Sequence, residues 1–349
     1  MKITVKQIAE MAGVSAGTVD RVLHNRGNVA EKSREKVAEV LEKVGYVYNV
    51  HSAAVPLKKK FVIAVITPAA ETGDYWSCIH EGIDNACKEY SDMDISIGMF
   101  PYDKFDPDSF AAAAEALVAA SPSAVVFGPA FRELSIDLCG RLDSEKIPYV
   151  FVDDSISGTN PIYTISADQK SCGSLIAKLM DRFTPEGRSI LLVKFTSPVF
   201  EALNQNARED AAREYLSLND PSRKLVCVTM CPGDSRSDKA EVKRILEANP
   251  DVGGIAVLSS RGHIIADAVR ALGAGNPVVS SFDLTSRNGE CLRNGSIEFV
   301  LCQNPVLQGY TAIGKIIFYL IYRKKTEAET RLIPAQIIFR ENFPDGEIR

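Results

Sequence analysis

Residues 3–24 read ITVKQIAEMAGVSAGTVDRVLH. Thr4 followed three positions later by Gln7 is a capping-box pattern that opens a helix. Val5, Ile8, Ala9 and Ala12 give that helix one apolar face, and Gly13 stops it. After Val14, Ser15 caps a second helix in which Val19, Val22 and Leu23 point one way while Gly17, Asp20, Arg21 and His24 point the other. Gly27 ends it. A third helix is expected from Glu31 to Val44, with Val37, Val40, Leu41 and Val44 in helical register before Gly45. Two short amphipathic helices joined by a tight glycine turn make a helix-turn-helix, whose second helix is shaped to enter a DNA major groove. Periodicity alone fits a small three-helix bundle equally well. The string Gly13 to Gly17 also matches G-x-S-x-G, but that motif needs a strand before it, and here a helix precedes it.

Charge supports a nucleic-acid role for this end of the chain. Residues 1–60 hold 11 Lys and Arg against 6 Asp and Glu, a net of +5, so a total of -5 leaves -10 for the remaining residues. A basic head on an acidic body suits a polyanion-binding module attached to something that binds no polyanion. With 349 residues, 46% of them hydrophobic, there is length for two or three globular units. Eight scattered cysteines without a CxxC pair read as free thiols, and four histidines remote from Cys227 and Cys231 argue against a zinc site. No run is apolar enough to span a bilayer and the N-terminus lacks a signal-type core, so the expected location is the cytoplasm, with no metal, cofactor or membrane partner.

From Phe61 the chain alternates short apolar runs with helical stretches. Strands are expected at FVIAVI (61), ISIGMF (95), AVVFG (124), YVFVD (149), ILLVKF (190), LVCVTM (225), GIAVLS (254), PVVSSF (277) and IEFVLC (297), with helices such as 107–120, 133–145, 235–248 and 261–272. That alternation predicts parallel sheets covered on both faces, and the count, with a change of register near 160, predicts two of them. Open parallel sheets bind ligands beyond the carboxyl ends of their strands. The residues there include Tyr75, Trp76, Phe131, Asp153, Asp154, Gln205, Asn206, Asp283 and Gln303. Carboxylates, amides and aromatics together suit a neutral polyhydroxylated ligand, although Arg132 and Arg261 near strand ends leave an acidic one open. Each such residue read singly, Asp168 above all, fits a helix cap as well.

The strings IAEMAGVS, TVDRVL, SREKV and GYVYN resemble the DNA-binding headpiece of the lactose/purine repressor (LacI-type) family over about 45 residues. The resemblance implies a DNA-binding set of Thr4, Ser15, Ala16, Gly17, Thr18, Arg21, His24, Asn25 and Asn49, with base reading at Ala16, Gly17 and Arg21. Asp20 stands where the family usually has Ser. Val55-Pro56 replaces the leucine-bearing hinge helix that related repressors insert in the minor groove, so a weaker or absent hinge helix is expected.

The body, from Phe61 to about Phe343, is similar to ribose-binding and other periplasmic sugar-binding proteins and to LacI-type effector domains, through FVDDS, ISADQKSCG, SFDL and FVLCQNPVLQGYTAIGK. That implies an all-α helix-turn-helix headpiece (1–48), a linker (49–60) and an α/β two-lobed periplasmic-binding-protein-like domain of two Rossmann-like parallel-sheet lobes (61–343). The first lobe is placed at about 61–162 and 304–325 and the second at 163–303 and 326–343, with crossings near 160–166, 283–286 and 303–306. Family roles fall on Tyr75 and Trp76 as a sugar-sandwiching pair and on Asp153, Asp283 and Gln303 as hydroxyl partners. A family arginine on the helix after the fifth strand aligns with Asn206, a lost cation. The implied function is a DNA-binding transcription regulator, a repressor or an activator, acting as a homodimer on a palindromic double-stranded operator under control of a sugar-like effector. A solute receptor without a DNA role is the alternative. An enzyme is not expected, since no P-loop string occurs and Gly273-Ala274-Gly275 lacks the rest of a dinucleotide fingerprint.

Overall fold

A computed structural model describes residues 5–23, 29–30, 33, 35–37, 40, 60–91, 93–196, 203–273, 275–322 and 329–343. The chain divides into two compact units at residue 58.

In the first unit, α1 (Val5–Ala12) and α2 (Ala16–Leu23) bury Ile8, Ala9, Ala12 and Val19 with Val37, and Val14 packs on this cluster. The turn between them has a definite closure. Gly13 sits at φ 64°, its N–H donating to the Glu10 carbonyl at 3.3 Å, and Val14 N–H donates to Ala9 O at 3.0 Å. That is a Schellman ending, whose left-handed position favours glycine. Ser15 Oγ then accepts from Thr18 N at 3.1 Å and caps α2, as the sequence predicts. Ser33, Glu35–Val37 and Val40 are helical, consistent with the expected third helix. Thr4, His24, Asn25, Asn49 and the linker with Val55 and Pro56 lie outside the described residues.

The second unit is built from two sheets of six strands each. The first contains β1 (Phe61–Pro68), β2 (Ile95–Tyr102), β3 (Ala124–Phe127), β4 (Tyr149–Asp153), β5 (Tyr163–Ala167) and β11 (Glu329–Ile333), in the order β11-β5-β4-β3-β1-β2, all parallel. The second contains β6 (Ser189–Phe195), β7 (Leu225–Met230), β8 (Val252–Val257), β9 (Val278–Phe282), β10 (Phe299–Cys302) and β12 (Gln336–Phe339), ordered β12-β10-β9-β8-β6-β7. Only β12 runs antiparallel to its neighbour. The helices are α3 (Tyr75–Glu89), α4 (Pro107–Ala119), α5 (Arg132–Ser144), α6 (Gln169–Phe183), α7 (Leu203–Asn219), α8 (Ser235–Ala248), α9 (Gly262–Leu272), α10 (Ser286–Arg293) and α11 (Pro305–Tyr322).

Period-2 patterning explains why helices cover both faces. Along β1, Phe61, Ile63 and Val65 join one core cluster while Ala64 and Ile66 join another. Along β6, Leu191, Val193 and Phe195 face one way and Ile190 and Leu192 the other. No helix among the described residues is long and apolar enough to cross a membrane.

The lobe boundaries need correction. β5 pairs with β4 and with β11, so 163–167 and 329–333 belong to the first sheet and only β12 of the C-terminal stretch joins the second. The chain therefore crosses after Ala167, between Cys302 and Pro305, and between Ile333 and Gln336. Residues 283–286 do not cross. They touch the other lobe instead, Ser286 N–H donating to Gly73 O at 3.0 Å.

Candidate functional site

On the headpiece, α2 turns Ala16, Gly17 and Arg21 to solvent, while Thr18 and Asp20 are half-buried. Gly17 is notable for what does not require it. Among the described residues a Cβ there would meet nothing nearer than Ser15 Oγ at 3.8 Å, and its φ is not left-handed. Glycine in a helix interior costs about 0.5–1 kcal/mol relative to alanine; at the second position of α2 the cost is a part of that, and the packing of the described residues gives no reason for it.

The body's site lies where the two sheets present their strand ends to one another. β4 and β9 occupy the same place in their respective orders, and each is followed or ended by an aspartate in the left-handed region, Asp153 at φ 70° and Asp283 at φ 59°. Non-glycine residues are uncommon there, and such strain gathers at ligand sites. Tyr75 donates to Asp153 Oδ1 at 2.6 Å. Gln308 accepts from Asp153 N at 2.9 Å and donates to Gln303 O at 3.2 Å, and Gln303 donates to both Asp283 oxygens, from its backbone at 3.0 Å and its amide at 2.8 Å. One hydrogen-bonded chain thus links the two aspartates through the crossing at 303–305.

The space they bound is a cavity of about 130 Å³, lined also by Trp76, Lys104, Pro129, Asp154, Phe195, Asn204, Ser259, Ser260 and Arg261. It is small beside the roughly 300–1,000 Å³ of drug-sized pockets and so suits a ligand of monosaccharide size. Gly128 makes room for the indole, since a Cβ there would fall 2.5 Å from the Trp76 ring.

Of the sequence-predicted residues, Tyr75, Trp76, Asp153, Asp154, Gln205, Asp283 and Gln303 line this cavity. Gln205 serves structure there, its amide bonding the Phe195 N–H and C=O at 2.8 Å each. Phe131 does not reach the cavity. It is 8% exposed in the first lobe's core, packed on Phe110 and Tyr102. Asn206 is also elsewhere, accepting from Lys194 Nζ at 2.8 Å. Tyr75 and Trp76 meet edge to face at 86°, so they do not form two parallel walls. Arg132 reaches Ser157, outside the cavity, and Asp168 caps α6 through Ser171.

The cation expected to be lost is present two positions further on. Arg208, on α7, is 3% exposed, stacks 3.9 Å over the Phe282 ring, and donates to Gln169 Oε1, Leu258 O and Gln303 Oε1 at 2.6–2.7 Å. Half a helical turn separates positions 206 and 208, which an alignment drifting through 197–202 misses; the signal was Arg208, one turn on from Gln205 along the same helix. Lys104, Asn204 and Ser259 were missed as well, because they sit in loops or first turns with no periodicity to mark them.

Burial dominates the site's electrostatics. It pushes the Asp154 carboxyl up to about 7, with Asp153 adding to it, and the Asp283 carboxyl up to about 6, against hydrogen bonds from Gln303 and the charge of Arg208 that pull down. Asp153 is raised for the same reason. Raised carboxyls favour the protonated folded state, so the stability they lend is full below 3.8 and is lost as pH rises through 6 and 7. Ligand hydroxyls need the ionised form. Affinity for a neutral polyol is therefore expected to rise from pH 5 to pH 8 while ligand-free stability falls, with protons released on binding; calorimetry in buffers of different ionisation enthalpy measures the release, and binding that weakens from pH 5 to 8 contradicts it.

A helix-turn-helix unit on one chain with a two-lobed α/β body, its cleft lined by paired aspartates, amides and aromatics, defines a class of ligand-responsive DNA-binding regulators. The sequence profile described as bacterial regulatory proteins, lacI family, matches residues 4–49, and that of the periplasmic binding protein domain matches residues 63–320. The chain belongs to the periplasmic binding protein domain family through its body and carries a lacI-family DNA-binding domain at its head. It is 43% identical over 68 residues to the HTH-type transcriptional regulator DegA of Bacillus subtilis, 20% of either chain, and 26% identical over 215 residues to the ribose operon repressor of Lactococcus lactis, 61% of this chain and 59% of that one. It thus spans less than two thirds of these relatives. Among solved structures, a Bacteroides fragilis protein assigned as a LacI transcriptional regulator superposes with a TM-score of 0.76 at 26% identity, covering 81% of this chain and 98% of that one. The glucose-galactose binding protein GanP of Geobacillus stearothermophilus shares the fold, with a TM-score of 0.70 at 16% identity over 82% of this chain and all of that one.

Proposed function

We propose that the protein is a cytoplasmic, sequence-specific DNA-binding repressor, a homodimer on a palindromic operator, whose DNA affinity is set by a small sugar-like effector held between the lobes. Effector binding is the whole chemistry of the cleft; no turnover is assigned to it. The observation that carries the reading is the aspartate-to-aspartate hydrogen-bond chain through the 303–305 crossing, because a ligand that engages Asp153 and Asp283 acts on the segment about which the lobes move. Relatives named as repressors of ribose and sucrose operons support the direction of control. Two DNA half-sites follow from two-fold symmetry of the dimer.

Gly17 tests the DNA half of the proposal. Gly17→Ala is expected to strengthen α2 by a part of the roughly 0.5–1 kcal/mol of a helix-interior site and to weaken binding to the DNA upstream of the protein's own gene by about tenfold or more, since the methyl intrudes where the backbone nears the groove. Fluorescence anisotropy on the intact chain, repeated across salt concentrations, reads the second effect and its electrostatic share. Unchanged DNA affinity in Gly17→Ala places the DNA-facing surface elsewhere.

A further inference from the structure

Three cations line the cavity, and they are not alike. Arg208 spends its guanidinium on Gln169, Gln303 and the Leu258 carbonyl. Lys104, just beyond β2 in the first lobe, and Arg261, capping α9 in the second, approach each other from opposite sides of the cleft. Both address one ring. Lys104 Nζ lies 5.3 Å from the Phe105 centroid and Arg261 Cζ lies 5.4 Å from it, with Phe195 a further 5.9 Å from Arg261. Among the described residues neither cation has a carboxylate within ion-pair distance. The acids that face them are Asp74, Asp103 and Asp153 for Lys104 and Asp74 and Asp238 for Arg261. Two residues before Arg261, the buried Oγ of Ser259 has no hydrogen-bond partner among the described residues and belongs to the same cavity wall. Two desolvated like charges facing each other across the cleft, neither held in an ion pair, and an orphan hydroxyl beside one of them leave donor capacity unmatched in the cavity.

We propose that the effector is anionic, a sugar-sized polyol bearing a carboxylate or a phosphate ester, and that Lys104 and Arg261 clamp its oxyanion from the two lobes while Asp153 and Asp283 take its hydroxyls. The proposal rests on the reading of the cleft as the effector site. An anion placed between the two cations relieves their repulsion and can only be held by both when the lobes are together, so the charged group also ties occupancy to closure. Burial and Arg261 hold the Lys104 ammonium down to about 8. An anionic effector therefore has a two-sided pH profile, its affinity rising as Asp154 and Asp283 ionise and falling as Lys104 loses its proton above about 8. A neutral polyol shows the rising limb alone.

The test is calorimetry on the intact protein with matched sets of probes, namely hexoses and pentoses, the corresponding uronic and aldonic acids, and the corresponding sugar phosphates. One acid or ester is expected to bind at least about 30-fold more tightly than its neutral parent, the magnitude of one or two charge-assisted hydrogen bonds. Which set supplies it separates a carboxylate from a phosphate. Lys104→Gln and Arg261→Gln are each expected to remove most of that advantage of the anion over its neutral parent, with Lys104→Arg restoring it. Thermal unfolding of the ligand-free variants reports that they fold. A neutral sugar that binds as tightly as its acid and its ester overturns the clamp and leaves the effector site standing. Failure of all three sets to bind overturns both.

Discussion

Asp283→Asn is expected to weaken effector binding by about 100-fold or more while changing the stability of the ligand-free protein by no more than about 2 kcal/mol. The carboxylate has about four lone-pair sites, and Gln303 occupies two of them through its backbone and amide N–H groups. The remaining two face the cavity and are free to accept ligand hydroxyls. An asparagine supplies one acceptor oxygen, and its amide nitrogen meets a Gln303 donor head on. Turning the Gln303 amide to suit it removes the oxygen that Arg208 and Gln169 share. The loss therefore spreads to a second ligand-facing group. For stability that loss is offset, because burial already opposes the charge, raising the carboxyl to about 6, and a neutral isostere ends that opposition. Asparagine also accepts φ 59° with little strain. Calorimetry with the tightest probe from the sugar panel, beside thermal unfolding of the free proteins, checks both halves. Retained affinity misplaces the site; a large loss of stability shows Asp283 to be a structural residue.

Much of this architecture is legible in the chain. All nine strands expected from apolar runs are present, because in a sheet buried on both faces a strand must be apolar throughout. The three that escape notice, β5, β11 and β12, are short, and β11 and β12 sit at sheet edges, where β11 leaves four of its five residues exposed. Pattern fades at such edges, but β5 is buried between β4 and β11, and the lobe boundary misplaced at 163 follows from Thr164 and Ser166 breaking its apolar run. Strand-end reasoning located most of the cavity because the topology fixes where ligands go. It failed at Phe131, since the same strand end offers Pro129 and Ala130 to the cavity and turns the ring inward. Position along the chain does not tell those apart. Arg208, Lys104 and Arg261 show the limit more sharply, for their roles depend on which neighbours already satisfy each cation, and that is a property of tertiary contacts.

On the proposed reading, a ligand that draws Asp153 and Asp283 together biases the crossing at 302–305 and with it the lobes. In the proposed dimer that bias is expected to change DNA affinity by about 5- to 150-fold at saturation, the span of typical coupling free energies. Reciprocity requires DNA to shift effector affinity by the same factor. Asp283→Asn is expected to bind the DNA upstream of the gene as the parent does and to respond to no concentration of probe at which the parent saturates. The decisive measurement is the anisotropy titration of that DNA with the intact protein, free and saturated with the tightest probe, for parent and Asp283→Asn. A shift of at least fivefold in the parent that vanishes in the variant is the outcome expected here; a parent whose DNA affinity is the same with the cleft empty and full contradicts the account.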